Sequence, residues 1–317
     1  MYFLNNIGIH CLFGCPMFFG VSIGLASAVM QSAAYIFSRR FVGEFHSSLK
    51  LVIYSQFVMG VSGLAVFAAT FPFTVFPRGA ELWRFSVAMA VFVAAYHVAF
   101  YCFFKALNEI EASRLSSLLG LKVVVIALIT YPFLHAELNI LHLLAVVLTA
   151  VSAVGMNFSG ARIGGRGALY LALALLGFAT TDITGTIFVK AMPGDGATLK
   201  AICATSLAYV FLGIIAAAAF FKIKFEPQAC KGALPYSILW FAAMLILFAS
   251  FGIVGVVFGS IIQASRGVVS VVLGIILART GYAAIEPDVP LRVWVRRAVM
   301  AGLMTAAIGL YSWASVK

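Results

Sequence analysis

The chain has 317 residues, of which 63% are hydrophobic and only 10% are charged, and its formal net charge is +11. A soluble domain of this length cannot bury that much apolar surface, so the composition excludes a soluble globular protein. The mean hydropathy of +1.09 places the chain in a lipid bilayer. Its Lys and Arg residues are spread over predicted helix ends and form no basic run with interleaved aromatic residues, which excludes nucleic acid as a partner.

The first half of the chain contains five apolar stretches, each close to the roughly 20 residues that a helix needs to cross a bilayer. They are preceded by residues 1–17, whose first part contains no Lys or Arg and so lacks the basic region of a secretory signal. We interpret residues 1–17 as a leader segment, and the sequence leaves open whether it is native. The predicted spans of the first domain, 18–158, are residues 18–38, 48–71, 83–105, 112–133 and 138–158.

The second half repeats this organisation over residues 167–317, after a linker at 159–166. Short segments of the first half return in the second, which indicates an internal repeat. Because each unit has an odd number of spans, the second unit begins on the opposite side of the membrane. The predicted fold is therefore an all-α integral membrane protein with ten transmembrane helices in two inverted five-helix repeats. The spans of the second unit are 167–190, 198–221, 234–257, 260–279 and 294–315, and the matching segments are 35–41 with 186–192, 49–56 with 199–206, and 110–117 with 262–269.

The order of motifs resembles the EamA-like branch of the drug/metabolite transporter (DMT) superfamily. In that family a small-residue-rich first helix ends in a basic residue, as in "GLASAVMQSAAYIFSRR", and a fourth helix opens as in "EASRLSSLLG". A Glu-containing turn then leads into a fifth helix, as in "HAELNILHLLAVVLTAVSAVG". The resemblance implies a ten-span transporter with a central substrate site, but one scaffold in this family carries amino acids, nucleotides, sugars, cations and drugs.

The chain departs from that family in the middle of the fourth helix. Many relatives have Glu-Pro there, whereas this chain has Lys122 and Val123, and the corresponding pair in the second unit is Gly274 and Ile275. The loss of proline removes an expected kink. The reversed sign of the charge means that a relative's substrate cannot be transferred to this chain.

Lys122 is predicted to lie near the middle of the bilayer, about 16 Å along the fourth helix from Glu111 at 1.5 Å per residue. An ammonium group at that depth costs at least roughly 3 kcal/mol, so protein rather than lipid must surround it. We therefore predict that Lys122 lines a central cavity.

Asp182 is the acidic residue predicted to lie at a similar depth, with the hydroxyl of Thr181 beside it. When the two units are aligned, Asp182 falls on Gln31, so a polar residue occupies that position in both. One interpretation is a buried pair of Lys122 and Asp182 that only fixes helix packing. The other is a substrate site, in which Lys122 binds an anionic group and Asp182 binds a cationic group or takes a proton.

His97 and Tyr101 are predicted to lie one turn apart on the third helix and to line the same cavity. Tyrosine on a membrane helix is more often a packing residue, whereas an imidazole suits proton coupling. Arg114 and Arg266 are equivalent in the two units and are expected to begin their helices. We interpret them, together with Glu111, as interfacial anchors or gate contacts.

The sequence contains no histidine pair with metal-ligand spacing and no nucleophile motif, so no enzyme, metal or cofactor is predicted. The predicted function is a secondary transporter that moves a small polar, zwitterionic or anionic metabolite by alternating access, through proton coupling or exchange. The alternatives are an exporter of hydrophobic cations or drugs that uses Asp182 and aromatic residues, and a membrane assembly subunit without transport.

The predicted location is the plasma (inner) membrane of a bacterium, with the lipid bilayer, a small-molecule substrate and protons as partners and a monomer or homodimer as the assembly. Lys and Arg are more frequent in the loops after odd-numbered spans, which places the N-terminus outside the cell. The resemblance implies cytoplasmic termini instead, so the orientation, the substrate and the direction of transport stay open.

Overall fold

The structure is a computed structural model that describes residues 16–107, 109–110, 115, 118–133, 139–155, 163–194, 196–269, 272–273 and 291–314. Helices dominate this part of the chain, and none of its residues forms a β-strand. A bilayer favours this outcome, because a helix satisfies its backbone hydrogen bonds internally. The α-helices, labelled in chain order, are α1 (Pro16–Phe45), α2 (Ser48–Thr70), α3 (Ala80–Leu107), α4 (Lys122–Phe133), α5 (Ile140–Gly155), α6 (Gly165–Ala191), α7 (Ala197–Ala219), α8 (Pro227–Val254), α9 (Val256–Ala264) and α10 (Leu291–Ala314).

Six of these helices, α1, α2, α3, α6, α7 and α8, are long and apolar enough to cross a membrane. Four shorter apolar helices fall at the other predicted spans, and the prediction of a helical, multi-pass membrane protein is confirmed. The leader up to residue 15 and the linker residues 159–162 lie outside the described residues, as do parts of the fourth, fifth and ninth predicted spans. The shorter helices are Leu119–Tyr131, Ile140–Gly155, Val256–Val269 and Val299–Tyr311.

The boundary between α8 and α9 differs from the sequence-based expectation. Helix α8 begins at Pro227, where proline is tolerated in the first turn, and it ends at Val254. Gly255 then adopts a φ of +83°, a conformation that glycine reaches without steric cost, and α9 begins at the next residue. Arg266, two residues past the end of α9, therefore lies about 15 Å from the start of that helix instead of near it.

The most extensive packing joins helices that are distant in sequence: α3 with α6, α1 with α8, α2 with α7, and α5 with α10. Helices α2 and α7 approach most closely at Gly60 and Gly213. A Cβ atom on Gly60 would lie only 2.5 Å from the Cα atom of Gly213. Small residues permit such close backbone approach in membranes, where apolar burial does not drive helices together.

We expect the substitution Gly60→Ala to destabilise the protein by about 1–3 kcal/mol, because the new methyl group would overlap the backbone of α7. The matched control is Gly302→Ala on α10, where an added Cβ meets nothing within 4 Å. Thermal unfolding in one detergent should show a lower midpoint for Gly60→Ala and an unchanged midpoint for Gly302→Ala. Equal midpoints for the two variants would contradict the close crossing of α2 and α7.

The two ends of the bundle are packed differently. We call the end that contains the α1–α2 connection the His46 end, and the opposite end, which contains the 3₁₀ helix Phe71–Phe73, the Phe71 end. Helix α8 packs along both α2 and α7, whereas α3 contacts each of them over only a short stretch. Because α3 contacts α2 and α7 so little, a cavity of about 640 Å³ lies between these three helices at the His46 end.

Both short central helices are irregular near the middle of the bundle. A 3₁₀ turn at Leu119–Leu121 immediately precedes α4 and directs Lys122. Helix α9 is interrupted after Ala264, where the N–H of Ser265 donates to the carbonyl of Ile262 at 3.1 Å. Residues 111–114 and 116–117 lie outside the described residues, so the expected loss of a kink in the first of these helices stays a prediction.

Candidate functional site

A buried ion pair lies between α4 and α6. The Nζ atom of Lys122 donates a hydrogen bond to Oδ2 of Asp182. Lys122 is 5% exposed and Asp182 is 2% exposed, so neither group is solvated. Lys122 begins α4 after the 3₁₀ turn, and Asp182 lies in the middle of α6. The structure thus brings together the two charged residues that the sequence singled out, and this geometry is compatible with both the structural and the substrate-binding interpretation.

The pair faces a small central cavity of about 20 Å³, large enough for roughly one water molecule. Helices α1, α3, α4, α6, α8 and the α9 segment all contribute to its wall. The polar lining residues are Lys122, Thr181, Asp182, Gln263 and Arg266, and the aromatic ones are Tyr35, Tyr96, Phe178 and Trp240. We call this space the central cavity.

Arg266 is in the wall of the central cavity and is only 4% exposed. Its Nη1 atom donates to Oε1 of Gln31 at 3.1 Å, while its Nε–H finds no hydrogen-bond partner. Among the described residues no carboxylate lies within 4.0 Å of the guanidinium. The expected interfacial position of Arg266 is therefore wrong, because its side chain is buried inside the bundle, whereas its role as a gate contact stays a prediction.

Gln31 accepts a hydrogen bond from Arg266 but does not itself line the central cavity. Its Oε1 atom accepts hydrogen bonds from Arg266 and from Nε2 of Gln263, the latter at 2.9 Å. Its own Nε2 donates to Oγ of Ser27 at 2.9 Å, and that hydroxyl donates to the carbonyl of Ala243 at 2.7 Å. This chain of hydrogen bonds ties α1 to α8 and α9 and fixes the orientation of the guanidinium.

The charges around the central cavity do not balance within the described residues. Lys122 and Arg266 are cationic, Asp182 is anionic, and the remaining lining side chains are neutral. A buried charge is costly unless it is paired and hydrogen-bonded, and membrane interiors are the most demanding case. The cavity is consequently suited to a ligand that brings a negative charge.

His97 and Tyr101 do not reach the central cavity, contrary to the expectation of a single site. They line the larger cavity at the His46 end, together with Gln56 and Lys105. Tyr96, the neighbour of His97, points to the centre instead, because successive helical residues are rotated by about 100°. Its hydroxyl lies 3.4 Å from that of Tyr209, and the two rings make a T-shaped contact.

A second outer cavity, of about 440 Å³, lies at the Phe71 end. Thr186 lines it and donates through Oγ1 to the backbone carbonyl of Asp182 at 2.9 Å, so it lies one helical turn beyond the central pair. The mouth carries Lys190 and the exposed pair of Arg84 and Glu81, whose charged atoms are 3.1 Å apart. The central cavity thus lies between two larger ones.

Arg114 and Glu111, the other two residues assigned to a gate, lie outside the described residues. Gln263 and Tyr96 are site residues that the sequence analysis did not select. The repeat alignment could have indicated Gln263, because it pairs this residue with Glu111 and places it one turn before Arg266. Nothing in the sequence separates Tyr96 from the many other aromatic residues of α3.

The apolar helices, their close packing and the charged group enclosed between them define a multi-pass integral membrane protein with an internal polar site. Residues 18–158 match the EamA-like transporter family, which is part of the DMT superfamily. The match confirms, over residues 18–158, the family predicted from the motifs. It implies a membrane transporter of the DMT type, since the family consists of transporters and not of enzymes.

The likeness of fold extends over both halves. One solved crystal structure of a protein aligns with a TM-score of 0.63 and 12% sequence identity, and the alignment covers 93% of this chain and 96% of the other. At this identity the likeness concerns the fold alone. A search of curated proteins gave no match.

Proposed function

We propose that the protein is a secondary transporter for a small anionic or zwitterionic metabolite, bound at Lys122, Asp182 and Arg266 in the central cavity. The observation that carries this proposal is the buried guanidinium of Arg266, which has no carboxylate partner among the described side chains. A carboxylate or phosphate of the substrate would supply the missing charge. Guanidinium groups suit such ligands because their planar donors match two oxygens at once.

A zwitterionic substrate would use the ion pair as well. Its anionic group would bind Arg266 and attract Lys122, and its ammonium group would take the place of Lys122 beside Asp182. Proton coupling would use the same carboxylate, since Asp182 can hold either a proton or a cation. The central cavity must expand for any metabolite larger than water, which requires the surrounding helices to move.

Alternating access between two inverted five-helix repeats supplies that movement. The helix pairs α3 with α6 and α8 with α1 are equivalent under exchange of the two units, which supports the repeat. A difference in packing between the equivalent helices α8 and α3 supports alternation. Helix α8 packs along both α2 and α7, whereas α3 contacts them over only a short stretch and leaves the His46 end open. Transport would exchange these two arrangements around the central cavity.

Two residues related by the repeat alignment test this movement. Ile53 lines the open cavity at the His46 end, whereas its equivalent, Cys203, is fully buried near Thr74 at the Phe71 end. In single-cysteine proteins, Ile53→Cys should react with a polar maleimide faster than Cys203. A transported substrate should slow the reaction at position 53 and accelerate it at position 203. A rate that falls at both positions would contradict alternation and indicate rigidification only.

The charge of the ligand is tested by a thermal-shift screen of metabolites on purified protein in detergent. The library contains matched acids and amines on the same carbon skeleton, so that charge is the only variable. We expect acids and amino acids to raise the unfolding midpoint and the matched amines to leave it unchanged. Hits are then assayed for flux in proteoliposomes, with an imposed proton gradient and with substrate on the opposite side, to distinguish coupling from exchange.

The competing function, export of hydrophobic cations, draws on the aromatic residues of the same cavity. Tyr35 and Trp240 both line it, with ring centroids 5.6 Å apart, and aromatic faces can bind cations. However, Lys122 already neutralises Asp182. Stabilisation by amines and not by acids in the screen would favour this second function. Hits that bind without flux would favour an assembly subunit. The proposed transporter resides in a bacterial plasma membrane, as a monomer or homodimer.

A further inference from the structure

The cavity at the His46 end has the features of a separate ligand site. Its volume of about 640 Å³ falls within the usual range for small-molecule sites, and it lies between α2, α3 and α7, away from Lys122. Among the described residues that line it, none is Asp or Glu. Apolar side chains of Val52, Ile53 and Ile215 form its walls, while nitrogen-bearing side chains lie at its inner end and at its mouth.

The inner end carries two nitrogen atoms that lack hydrogen-bond partners among the described residues. Gln56 is 3% exposed, and its amide Nε2 donates to no acceptor. The Nδ1 atom of His97 lies 2.8 Å from the carbonyl oxygen of Val93, which can only accept, so Nδ1 carries the proton. In the neutral ring Nε2 is therefore an acceptor, and it too is buried without a partner. Buried polar atoms are rarely left unsatisfied, and a ligand would account for both.

The mouth carries one positive charge, that of Lys105. Its Nζ atom lies 5.7 Å from the centroid of the Tyr101 ring. Lys105 is two helical turns from His97, about 12 Å along α3. A ligand that spans the cavity thus meets a cation at its outer end, apolar walls along its body, and a donor and an acceptor at its inner end.

We propose that this cavity binds an elongated amphipathic carboxylic acid. Its carboxylate pairs with Lys105 at the mouth, its chain packs between α2 and α7, and a neutral hydroxyl at its far end accepts from Gln56 and donates to His97. The site is distinct from the central cavity, but it lies in the open space at the His46 end that the proposed alternation would close.

The test uses the full chain in nanodiscs and a dansylated undecanoic acid as a fluorescent probe. Displacement of the probe is measured with ω-hydroxydecanoic acid, decanoic acid and decylammonium. We expect the hydroxy acid to compete best, decanoic acid to compete about fivefold less well for lack of one hydrogen bond of about 1 kcal/mol, and decylammonium to compete worst. Equal competition by all three would indicate a non-specific apolar groove and overturn the proposal.

Two variants assign the contacts. Lys105→Gln, at an exposed position that should tolerate substitution, is expected to weaken both acids about tenfold and to leave decylammonium unchanged. Gln56→Leu is expected to remove the advantage of the hydroxy acid over decanoic acid. The matched control, Lys190→Gln in the other outer cavity, should have no effect. If Lys105→Gln and Lys190→Gln behave alike, the proposal is wrong.

A further variant separates this proposal from the proposed function. Arg266→Gln removes one of the two cations of the central cavity, and Arg266 is not among the residues that line the outer cavity. Displacement of the probe should be unchanged in Arg266→Gln. A loss of probe binding in this variant would place the acid in the central cavity and overturn the separate site, whereas the proposed function would stand.

Discussion

Replacing Lys122 with methionine is expected to destabilise the protein by about 3–5 kcal/mol, because the substitution leaves the Asp182 carboxylate buried without its partner. Asp182→Asn should also destabilise, since it leaves the ammonium group unpaired. The double variant Lys122→Met, Asp182→Asn should regain most of the loss, because it removes both charges together. The free energy of unfolding is measured by thermal or denaturant unfolding in one detergent, under conditions where all four proteins unfold reversibly.

The chain contains a matched control for this experiment. Lys50 and Glu226 form a pair with Nζ and Oε1 2.7 Å apart, but their side chains are 32% and 43% exposed. Lys50→Met should cost less than about 1 kcal/mol, since solvent screens an exposed pair. If the losses at Lys122 and Asp182 simply add in the double variant, the two groups do not interact as the structure indicates.

The double variant also distinguishes the two interpretations of the pair. If Lys122 and Asp182 only fix helix packing, a folded double variant should still be stabilised by the ligands that stabilise the wild type. If they bind substrate, that stabilisation should disappear although the fold is retained. A zwitterion should lose more than a simple anion, because it uses Asp182 as well as the cations.

Much of this architecture can be predicted from sequence, because a bilayer leaves few options to an apolar chain. Each long apolar stretch must be helical, and an ionisable residue in its middle must find a partner inside the protein. The pairing of Lys122 with Asp182 follows from this rule, since few other acids lie deep in the predicted spans. The family could also be predicted from the sequence, because its motifs occur at helix ends, where the amino-acid composition changes sharply.

The errors came from features that hydropathy does not encode. Gly255 joins two helices with a single residue, and an apolar pattern that continues across the junction cannot show where one helix ends. The apolar pattern consequently predicts Arg266 at an interface, whereas its side chain lies in the wall of the central cavity. His97 was assigned to the centre because an imidazole is unfavourable in lipid, but a cavity between α2, α3 and α7 meets the same requirement. The sequence predicts that a polar side chain is sheltered from lipid. Only the packing of the helices shows which cavity that side chain lines.

Arg266→Gln is expected to end stabilisation by anionic ligands and, at the same time, to raise the stability of the ligand-free protein. The first effect follows from the loss of charge-assisted hydrogen bonds to the substrate, which should weaken affinity by about 10- to 100-fold. The second follows from the removal of a buried guanidinium that no carboxylate balances within the described structure. Gln31 should be little affected, because Gln263 still donates to its Oε1 atom.

Three comparisons make the Arg266 prediction specific. Arg266→Lys keeps the charge but loses the planar donor pair, so it should retain part of the affinity. Arg84→Gln removes an exposed arginine that is paired with Glu81 and should alter neither affinity nor stability appreciably. The unfolding midpoint is recorded for each protein with and without an anionic hit. If Arg266→Gln lowers the ligand-free midpoint as much as Lys122→Met does, the guanidinium stabilises the fold and is not held for a substrate. An arginine that binds an anionic substrate should lower the stability of the ligand-free protein, because its charge is then unpaired. A merely structural arginine would not favour binding and oppose stability in this way.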